Sequence, residues 1–357
     1  MTSLSGNVTP GSANGLGLAA RFTAPRGLWL LPSGQALLVA DTDSATLRHV
    51  QLNATGGALN VSTLSAVPGV TGYADGSALA TKFNAPFTVA ADATGTVAFV
   101  ADRSNHRVRG VFVANGSSYT FLGSGSVGSA NGVGVAATLN QPYSLTFDMR
   151  LGILYIGDAA NGLIRSATVP GGTVRTVAGA AGVLAWADGP PSAARFRQMY
   201  GLAVPADAST RCGADCALVV ADTNNHRIRA INLSSGAVWT LGGTGTAAFA
   251  DGQGTAAAFN SPFAVAAPGA VAGGAIFVSD FLTTGCGQYC PRVQLFPSRG
   301  RARALSSPMV WALLRYSPTP RDLPCFPMVL FLWWADGKVR PLFMAFAASR
   351  APRLPHR

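Results

Sequence analysis

Short runs of apolar residues alternate along this chain with turns rich in glycine, asparagine and aspartate. The stretch 201–243 contains GLAV, ALVVAD, HRIRAI and VWTLGG in succession. Apolar runs this short, bounded by turn-forming residues, are typical of β-strands. The pattern therefore predicts units of four short strands that are joined by tight turns.

A polar motif occurs where the second strand of each unit meets the third. An aspartate is followed by a small polar residue at +3, an aliphatic residue at +6 and arginine at +7, as in ADTNNHRIRAI at 221–231. Four copies keep this order, and a fifth starts before an insertion. The residues that we predict to form these hairpins are Asp41, Asp102, Asn105, Asp158, Asn161, Asp222, Asn225 and Asp280.

We interpret this motif as structural. Asp222 is expected to accept a backbone N–H two residues later, and Asn225 is expected to adopt the left-handed backbone that closes a hairpin. Arg229 is expected to return to the aspartate or to reach a neighbouring blade, and the arginine pairs are expected on solvated strand faces. A ligand-binding Asp/His pair is the alternative, but Ala45 and Gly162 replace the histidine in two copies.

A second motif lies upstream of each aspartate. It reads Asp/Asn-Gly, then an aromatic residue or leucine at +8 and proline at +11, with Met199 in place of proline in the fourth copy. We expect the glycine to adopt a positive φ, the aromatic residue to fill a gap between blades, and the proline to fix the start of the innermost strand. The copies begin at Asn14, Asp75, Asn131, Asp188 and Asp251.

Two motifs that recur in phase predict an all-β fold, a β-propeller of radially stacked, four-stranded antiparallel blades. Each blade buries its faces only against its neighbours, so the repeats depend on one another for a core. The predicted propeller covers residues 1–296, and 297–357 is predicted to be a disordered or irregular, basic tail outside the fold. The predicted blades are about 11–70, 71–127, 128–184, 185–246 and 247–296.

The segments VADTNNHRIRAI and ADGQGTAAAFNSPFAVA resemble the NHL-repeat family of β-propellers, in its long-blade type with a DG-x-G-x-A-x-x-F-x-x-P linker. The resemblance covers about residues 11–296. It implies a ring, usually of six blades, whose centre or upper face binds partners. Five repeats are recognisable, and whether five blades close the ring or a sixth is missing stays open; we expect the chain to be a piece of a larger extracellular protein or an incomplete gene model.

The composition changes the picture in two ways. There are 42 glycines, no glutamate and only two lysines, so strong helix formers are scarce. Of the formal net charge of +11, residues 299–357 carry +8 (ten basic, two acidic), which leaves +3 for the remainder. A nearly neutral body lacks the footprint of a nucleic-acid binder. We therefore expect no nucleic-acid partner and, since no apolar run reaches about 20 residues, no transmembrane segment.

Cysteines and glycosylation sequons predict an extracellular protein or one in the secretory-pathway lumen, although the chain begins without a recognisable signal peptide. Two C-x-x-x-C pairs lie in blade-specific insertions and permit three pairings, of which two local disulfides would staple these loops. The disulfide candidates are Cys212, Cys216, Cys286 and Cys290, and the glycosylation candidates are Asn7, Asn53, Asn60, Asn115 and Asn232.

Enzymatic function is the main alternative to binding. Gluconolactonase-like propellers hold a divalent metal with Glu, Asn and Asp, a set that a chain without glutamate does not assemble. A lyase-type zinc site needs several histidines, whereas His106 and His226 occupy equivalent turns of different blades. We therefore predict no cofactor and no metal, and a non-catalytic scaffold for a protein or glycan ligand. A metal-dependent lactonase or lyase-like enzyme and an RNA-binding propeller stay open as alternatives.

Overall fold

The computed structural model describes residues 5–7, 9–53, 58–205, 217–267, 276–283, 289–296, 310–314, 328–335 and 338–343. Side chains are described in these ranges up to Asp280, except at residues 58 and 59. The described elements are strands and three-residue 3₁₀ helices. No helix in this part of the chain is long and apolar enough to cross a bilayer.

Four sheets each contain four antiparallel strands in chain order, and the third gains a two-residue strand beside its outermost member. The first is β1 (Pro25–Leu30), β2 (Ala36–Asp41), β3 (Thr46–Leu52) and β4 (Ala58–Ser65); the second is β5 (Pro86–Ala91), β6 (Val97–Asp102), β7 (Arg107–Phe112) and β8 (Ser118–Leu122). The third is β9 (Gly132–Val133), β10 (Pro142–Asp148), β11 (Ile153–Asp158), β12 (Leu163–Thr168) and β13 (Thr173–Ala178); the fourth is β14 (Met199–Ala203), β15 (Ala217–Asp222), β16 (Arg227–Asn232) and β17 (Val238–Gly242). The 3₁₀ helices are Gly17–Ala19, Arg103–Asn105, Gly134–Ala136, Ala159–Asn161, Thr223–Asn225 and Gly254–Ala256.

Two further sheets have three described strands each. The fifth sheet is β18 (Pro262–Ala266), β19 (Ile276–Thr283) and β20 (Tyr289–Phe296), and the sixth is β21 (Val310–Leu314), β22 (Met328–Ala335) and β23 (Lys338–Phe343). The sixth sheet lies in the segment that the sequence predicts to be irregular, and the backbone of β23 contacts both β18 and β1. The boundary between propeller and tail at residue 296 stays a prediction.

The first strands of the five repeat sheets lie side by side. Strand β1 contacts β5, β5 contacts β10, β10 contacts β14 and β14 contacts β18. Sheets that meet through their first strands in chain order are arranged radially, as in a propeller. The predicted fold class, an all-β propeller of four-stranded antiparallel blades, is confirmed.

The hydrophobic core lies between neighbouring blades. Phe83, from the linker before the second blade, is fully buried with Leu47 of the first blade and Val100 of the second. Burying a side chain of this size contributes about 2 kcal/mol. The linker residue therefore fills the gap between blades, as the sequence predicts. The equivalent buried residues are Leu139, Phe196 and Phe259.

In the first four blades the linker also covers the outer edge of its own blade. Gly76 pairs with Ser118 of β8, which hides part of a strand edge that would otherwise invite pairing with another chain. Gly76 has a φ of +136°, as expected for this position. Gly252 is required for a different reason, because a Cβ there would lie 2.8 Å from the carbonyl carbon of Ala256.

Candidate functional site

In the second blade the motif aspartate is the centre of a buried hydrogen-bond network. The Oδ1 atom of Asp102 accepts the backbone N–H of Asn84 at 2.7 Å. Its Oδ2 atom accepts Nδ2 of Asn105 at 2.8 Å and Nη1 of Arg109 at 3.0 Å. The carboxylate thereby ties the start of the innermost strand to the hairpin between the second and third strands.

The backbone hydrogen bond to the motif aspartate occurs in the other blades as well, one aspartate to each, and the first, third and fourth blades also have the buried arginine. Pairs of backbone donor and aspartate are Thr23 and Asp41, Asn140 and Asp158, Arg197 and Asp222, and Asn260 and Asp280, with N···O distances of 2.7–2.8 Å. The asparagines equivalent to Asn105 are Asn161 and Asn225. The structure therefore distributes the motif over the ring and does not gather it at one point.

Two details of the predicted hairpin are wrong. Asp222 accepts the N–H of Arg197, far upstream, and not that of a residue two positions later. The left-handed residue is His226, with a φ of 53°, and not Asn225. Asn225 instead lies in a 3₁₀ turn, and its amide donates to Asp222 and to the carbonyl of Ala185, both at 2.8 Å.

The expectation that the arginine pairs lie on solvated faces is also wrong for the second arginine of each pair. Arg109 is fully buried, and it donates to the carbonyls of Ala74 at 2.6 Å and Lys82 at 3.0 Å. It also donates through Nε and Nη2 to Asp75 in the linker. A guanidinium offers five N–H donors in a fixed plane, so a linker rich in acceptors makes its burial possible. Buried equivalents are Arg48, Arg165 and Arg229.

The electrostatics of the motif follow from its burial. Burial raises the pKa of Asp41, Asp102, Asp158 and Asp222 to about 6 each, and the N–H donors and arginines around them lower it. Each of these carboxylates receives donors from its own blade. The motif side chains therefore hold a blade together and offer little to a ligand.

The two histidines at the left-handed position join neighbouring blades. Nδ1 of His106 accepts the backbone N–H of Gln141 at 3.1 Å, and Nδ1 of His226 accepts that of Ser261 at 3.0 Å. They lie in different blades and do not converge. Among the residues whose positions are described, no group of three His, Cys, Asp or Glu side chains could hold a metal ion.

The remaining sequence candidates lie at the surface or outside the described residues. Asn7, Asn53, Asn60 and Asn115 are exposed, and Asn232 is half-buried. Cys212, Cys216 and Cys286 lie outside the described residues, as does the side chain of Cys290. The disulfide and glycosylation predictions therefore stay predictions.

A cluster that the sequence analysis missed lies where the innermost strands begin. In each blade the register against the second strand shifts just after the first residue, so the next residue is bulged out of the ladder. A β-bulge re-aims the side chain that it carries. We call the five bulged residues the axial cluster: Arg26, Phe87, Tyr143, Tyr200 and Phe263.

The aromatic members of the axial cluster, one from each of four blades, contact one another. The ring centroids of Tyr143 and Tyr200 are 4.5 Å apart, those of Phe87 and Tyr143 are 4.6 Å apart, and those of Tyr200 and Phe263 are 5.1 Å apart. The fifth member, Arg26, places its guanidinium carbon 5.2 Å from the ring centroid of Phe87. Packed in this way, the rings fill the space where the inner strands meet.

Polar groups from the neighbouring turns border this cluster. Arg103 lies over the ring of Tyr143 and donates to its hydroxyl at 3.2 Å. Gln198 accepts hydrogen bonds from the hydroxyl of Tyr200 at 3.0 Å and from Asn224 at 2.5 Å. Burial raises the pKa of Tyr200, so its phenol stays a hydrogen-bond donor at neutral pH.

A signal for this site was present in the sequence. The residue after the linker proline, or after Met199 in the fourth repeat, is arginine or aromatic in all five copies. Strand alternation alone does not reveal that these residues meet. The bulge that turns them inward arises from the pairing of two strands, and the apolar pattern does not show it.

Comparison with known proteins finds distant relatives, one of which is named for the NHL repeat. No family model matches the chain. It is 26% identical over 271 residues to Protein SUPPRESSOR OF QUENCHING 1, chloroplastic, of Arabidopsis thaliana, a match that covers 73% of this chain and 24% of that protein. It is 26% identical over 178 residues to NHL repeat-containing protein 2 of Bos taurus, which covers 48% of this chain and 22% of the relative. The chain thus spans about a quarter of the length of these relatives or less.

Among solved structures, a chain in the crystal structure of a nidogen–laminin complex is similar over 74% of each chain, with 15% identity and a TM-score of 0.49. The fold assignment does not depend on that similarity, because the strand order and the contacts between inner strands establish it. With its repeated motif placed once in each blade and with a relative named for the repeat that its sequence resembles, this chain is a β-propeller whose repeats are similar to those of NHL-repeat proteins.

Proposed function

We propose that this chain is a non-catalytic NHL-repeat scaffold that binds a protein or glycan ligand through the face around the axial cluster. One observation carries the proposal. The repeated polar groups are occupied within their own blades, whereas the axial position holds arginine, phenylalanine or tyrosine in different blades. Stacking requires the repeated groups, so the positions that differ are those left to determine specificity.

We also propose that the protein is extracellular and that this propeller is part of a longer chain. Four of the five sequon asparagines are exposed, which a glycosyltransferase requires. The much greater length of the relatives is in line with a propeller that forms one part of a larger protein. Mass spectrometry of the protein purified from its native source, before and after deglycosylation, tests the first point.

The binding proposal is tested by selection on the full chain. A random peptide phage library and a glycan array would be screened, and the binders measured against Tyr200→Ala and the matched outer-strand control Arg175→Ala, since Arg175 is exposed on β13. We expect binders to compete with one another and to lose affinity for Tyr200→Ala alone. Binders that are indifferent to Tyr200, or lost equally with both variants, would contradict the proposal.

The two alternatives make different predictions in the same preparation. Stoichiometric zinc or calcium, lost together with a lactone-hydrolysing or lyase activity, would establish an enzyme and overturn the scaffold. Salt-sensitive RNA binding that survives deletion of 299–357 would establish a nucleic-acid binder.

A further inference from the structure

The axial cluster places two guanidinium groups against one pair of aromatic rings. Arg26 lies 5.2 Å from the ring centroid of Phe87, and Arg103 lies 5.2 Å from that of Tyr143, while the two rings are themselves 4.6 Å apart. The two arginines come from different blades and different elements, the inner strand β1 and the 3₁₀ turn Arg103–Asn105. One guanidinium therefore lies over each ring of the pair, Arg26 over Phe87 and Arg103 over Tyr143.

The charges around this pair do not balance. Asp43, exposed on the turn of the first blade, is the acidic group that acts on Arg26, and Arg103 acts on it as a second cation. Two cations, Arg26 and Arg103, thus act on one another beside a single exposed carboxylate, Asp43, and this leaves the ring pair with an excess of positive charge.

Arg103 has donor capacity that the blade does not use. Its Nη1 donates to the hydroxyl of Tyr143 at 3.2 Å and its Nη2 to Ser104 at 3.5 Å, while its Nε is buried without a hydrogen-bond partner. Among the side chains described here, it forms no ion pair with a carboxylate, unlike the buried arginine of each repeat motif. A half-buried guanidinium of this kind is suited to donate hydrogen bonds to a carboxylate of a ligand.

We propose that the axial cluster binds the carboxylate of an aspartate or glutamate side chain from a protein partner, held between Arg26 and Arg103. The inference rests on the proposed binding function and adds the chemical class of the ligand. A glycan fits less well, because sugars stack on open aromatic faces and these rings cover one another. Phe87 and Phe263 are 1% and 6% exposed, so they offer no open face to a sugar, and a ligand is expected to contact the polar groups that border the rings.

The experiment uses the full chain labelled with ring-¹³C tyrosine and two small probes, N-acetylglutamate amide and N-acetylglutamine amide. We expect the glutamate probe to shift the Tyr143 and Tyr200 signals to saturation, and the glutamine probe to leave them unchanged. Arg103→Gln should weaken binding of the glutamate probe about tenfold, the loss of one charge-assisted hydrogen bond. Arg175→Gln, an exposed arginine on β13, is the matched control and should bind as the wild type.

Because Arg26 is buried, Arg26→Gln could fail to fold, and Arg103→Gln together with the probe pair keeps the inference testable without it. Equal shifts with both probes, no shift with either, or glutamate binding that Arg103→Gln leaves intact would each overturn the acidic ligand. If library-selected binders still depended on Tyr200 in that case, the proposed binding function would be supported and only the proposed acidic ligand would be wrong.

Discussion

The second and fourth blades differ from the first and third in three polar positions on an otherwise common framework. Both pairs keep the buried aspartate and the buried arginine. The second and fourth blades add a linker acid, a histidine and a further arginine. The linker acid is Asp75 or Asp188, where the first and third blades have Asn14 and Asn131. The histidine is His106 or His226, where they have Ala45 and Gly162. The further arginine is Arg107 or Arg227, where they have Thr46 and Leu163.

The linker acid changes how completely the buried arginine is satisfied. In the second blade, Nε of Arg109 donates to Oδ1 of Asp75 at 3.0 Å, and its other nitrogens reach Asp102 and the linker carbonyls. In the third blade, Asn131 accepts Nη2 of Arg165, and Nε of Arg165 is buried without a hydrogen-bond partner. The blade architecture thus needs the buried Asp–Arg pair, and the added acid strengthens an individual blade.

The largest expected effect comes from removing the buried arginine in each type of blade. Arg109→Met leaves Asp102 as a buried carboxylate without its cation and also removes a donor from Asp75, which keeps its hydrogen bonds from Thr120, so we expect a loss of about 4 kcal/mol in the free energy of unfolding. Arg165→Met strands only Asp158, and we expect about 3 kcal/mol. Urea unfolding of both variants measures the difference, and equal losses would contradict the account of the two blade types.

The next effect comes from exchanging the linker residue between blade types. Asp75→Asn removes a carboxylate that accepts Nε of Arg109 and both the N–H and the hydroxyl of Thr120. Because Asp75 is about one-third exposed, we expect a loss of about 1.5 kcal/mol. The reverse change, Asn131→Asp, offers a partner to the buried Nε of Arg165 and should raise the free energy of unfolding by about 1 kcal/mol.

The pH dependence of the Asp75→Asn effect is the control that separates a charge effect from a packing effect. Burial alone would raise the pKa of Asp75, but hydrogen bonds from Thr120 and Arg109 outweigh it and hold the pKa below its usual value of 3.8. A carboxylate with a lowered pKa stabilises the fold above its unfolded pKa, and this stabilisation is lost as the pH falls through the folded pKa. The wild type and Asp75→Asn should therefore converge in acid, and a difference that persists unchanged below pH 3.8 would point to packing instead of charge.

The sequence predicted the repeat better than the site, for a physical reason. Hairpin position, the four-stranded blade and the buried linker aromatic follow from local spacing, as Phe83 illustrates. The burial of Arg109 depends on carbonyls such as that of Ala74, which is 35 residues away in the chain, so its apparent place on a polar strand face was misleading. The axial cluster depends on a bulge in each inner strand, which an alternating pattern does not encode.

A smaller effect for each residue, about 1 kcal/mol, is expected at the histidines that link the second blade to the third and the fourth to the fifth. Burial and the adjacent Arg107 lower the pKa of His106 below its usual 6.5, and burial, Arg227 and Arg197 do the same for His226. A lowered pKa in the fold means that the stability from the neutral imidazole is present above pH 6.5 and is lost as the pH falls through the folded pKa. The His106→Asn/His226→Asn double variant should therefore be about 2 kcal/mol less stable than the wild type at pH 8, about 1 kcal/mol for each hydrogen bond.

Asparagine is the suitable replacement because it tolerates the left-handed backbone at these positions, where φ is 54° and 53°. The gap between the variant and the wild type should close in acid. If the difference in the free energy of unfolding is the same at pH 8 and below pH 5, the hydrogen bonds from Gln141 and Ser261 to the neutral imidazoles do not contribute to stability.

The smallest expected effect is at the half-buried arginine, Arg107 or Arg227, that the second and fourth blades carry and the first and third blades lack. The guanidinium carbon of Arg227 lies 4.0 Å from the ring centroid of Trp186, and that of Arg107 lies 3.8 Å from the ring centroid of Tyr73. Both rings are nearly half exposed, so solvent weakens the attraction and we expect coupling energies of about 0.5–1 kcal/mol, larger for tryptophan because its ring is the stronger partner. Double-mutant cycles with Arg227→Gln and Trp186→Leu, and with Arg107→Gln and Tyr73→Leu, measure each coupling. Zero coupling in both cycles would mean that these arginines act only through the carbonyls of Thr244 and Ser124, to which they also donate, and the blade difference would then reduce to the linker acid and the histidine.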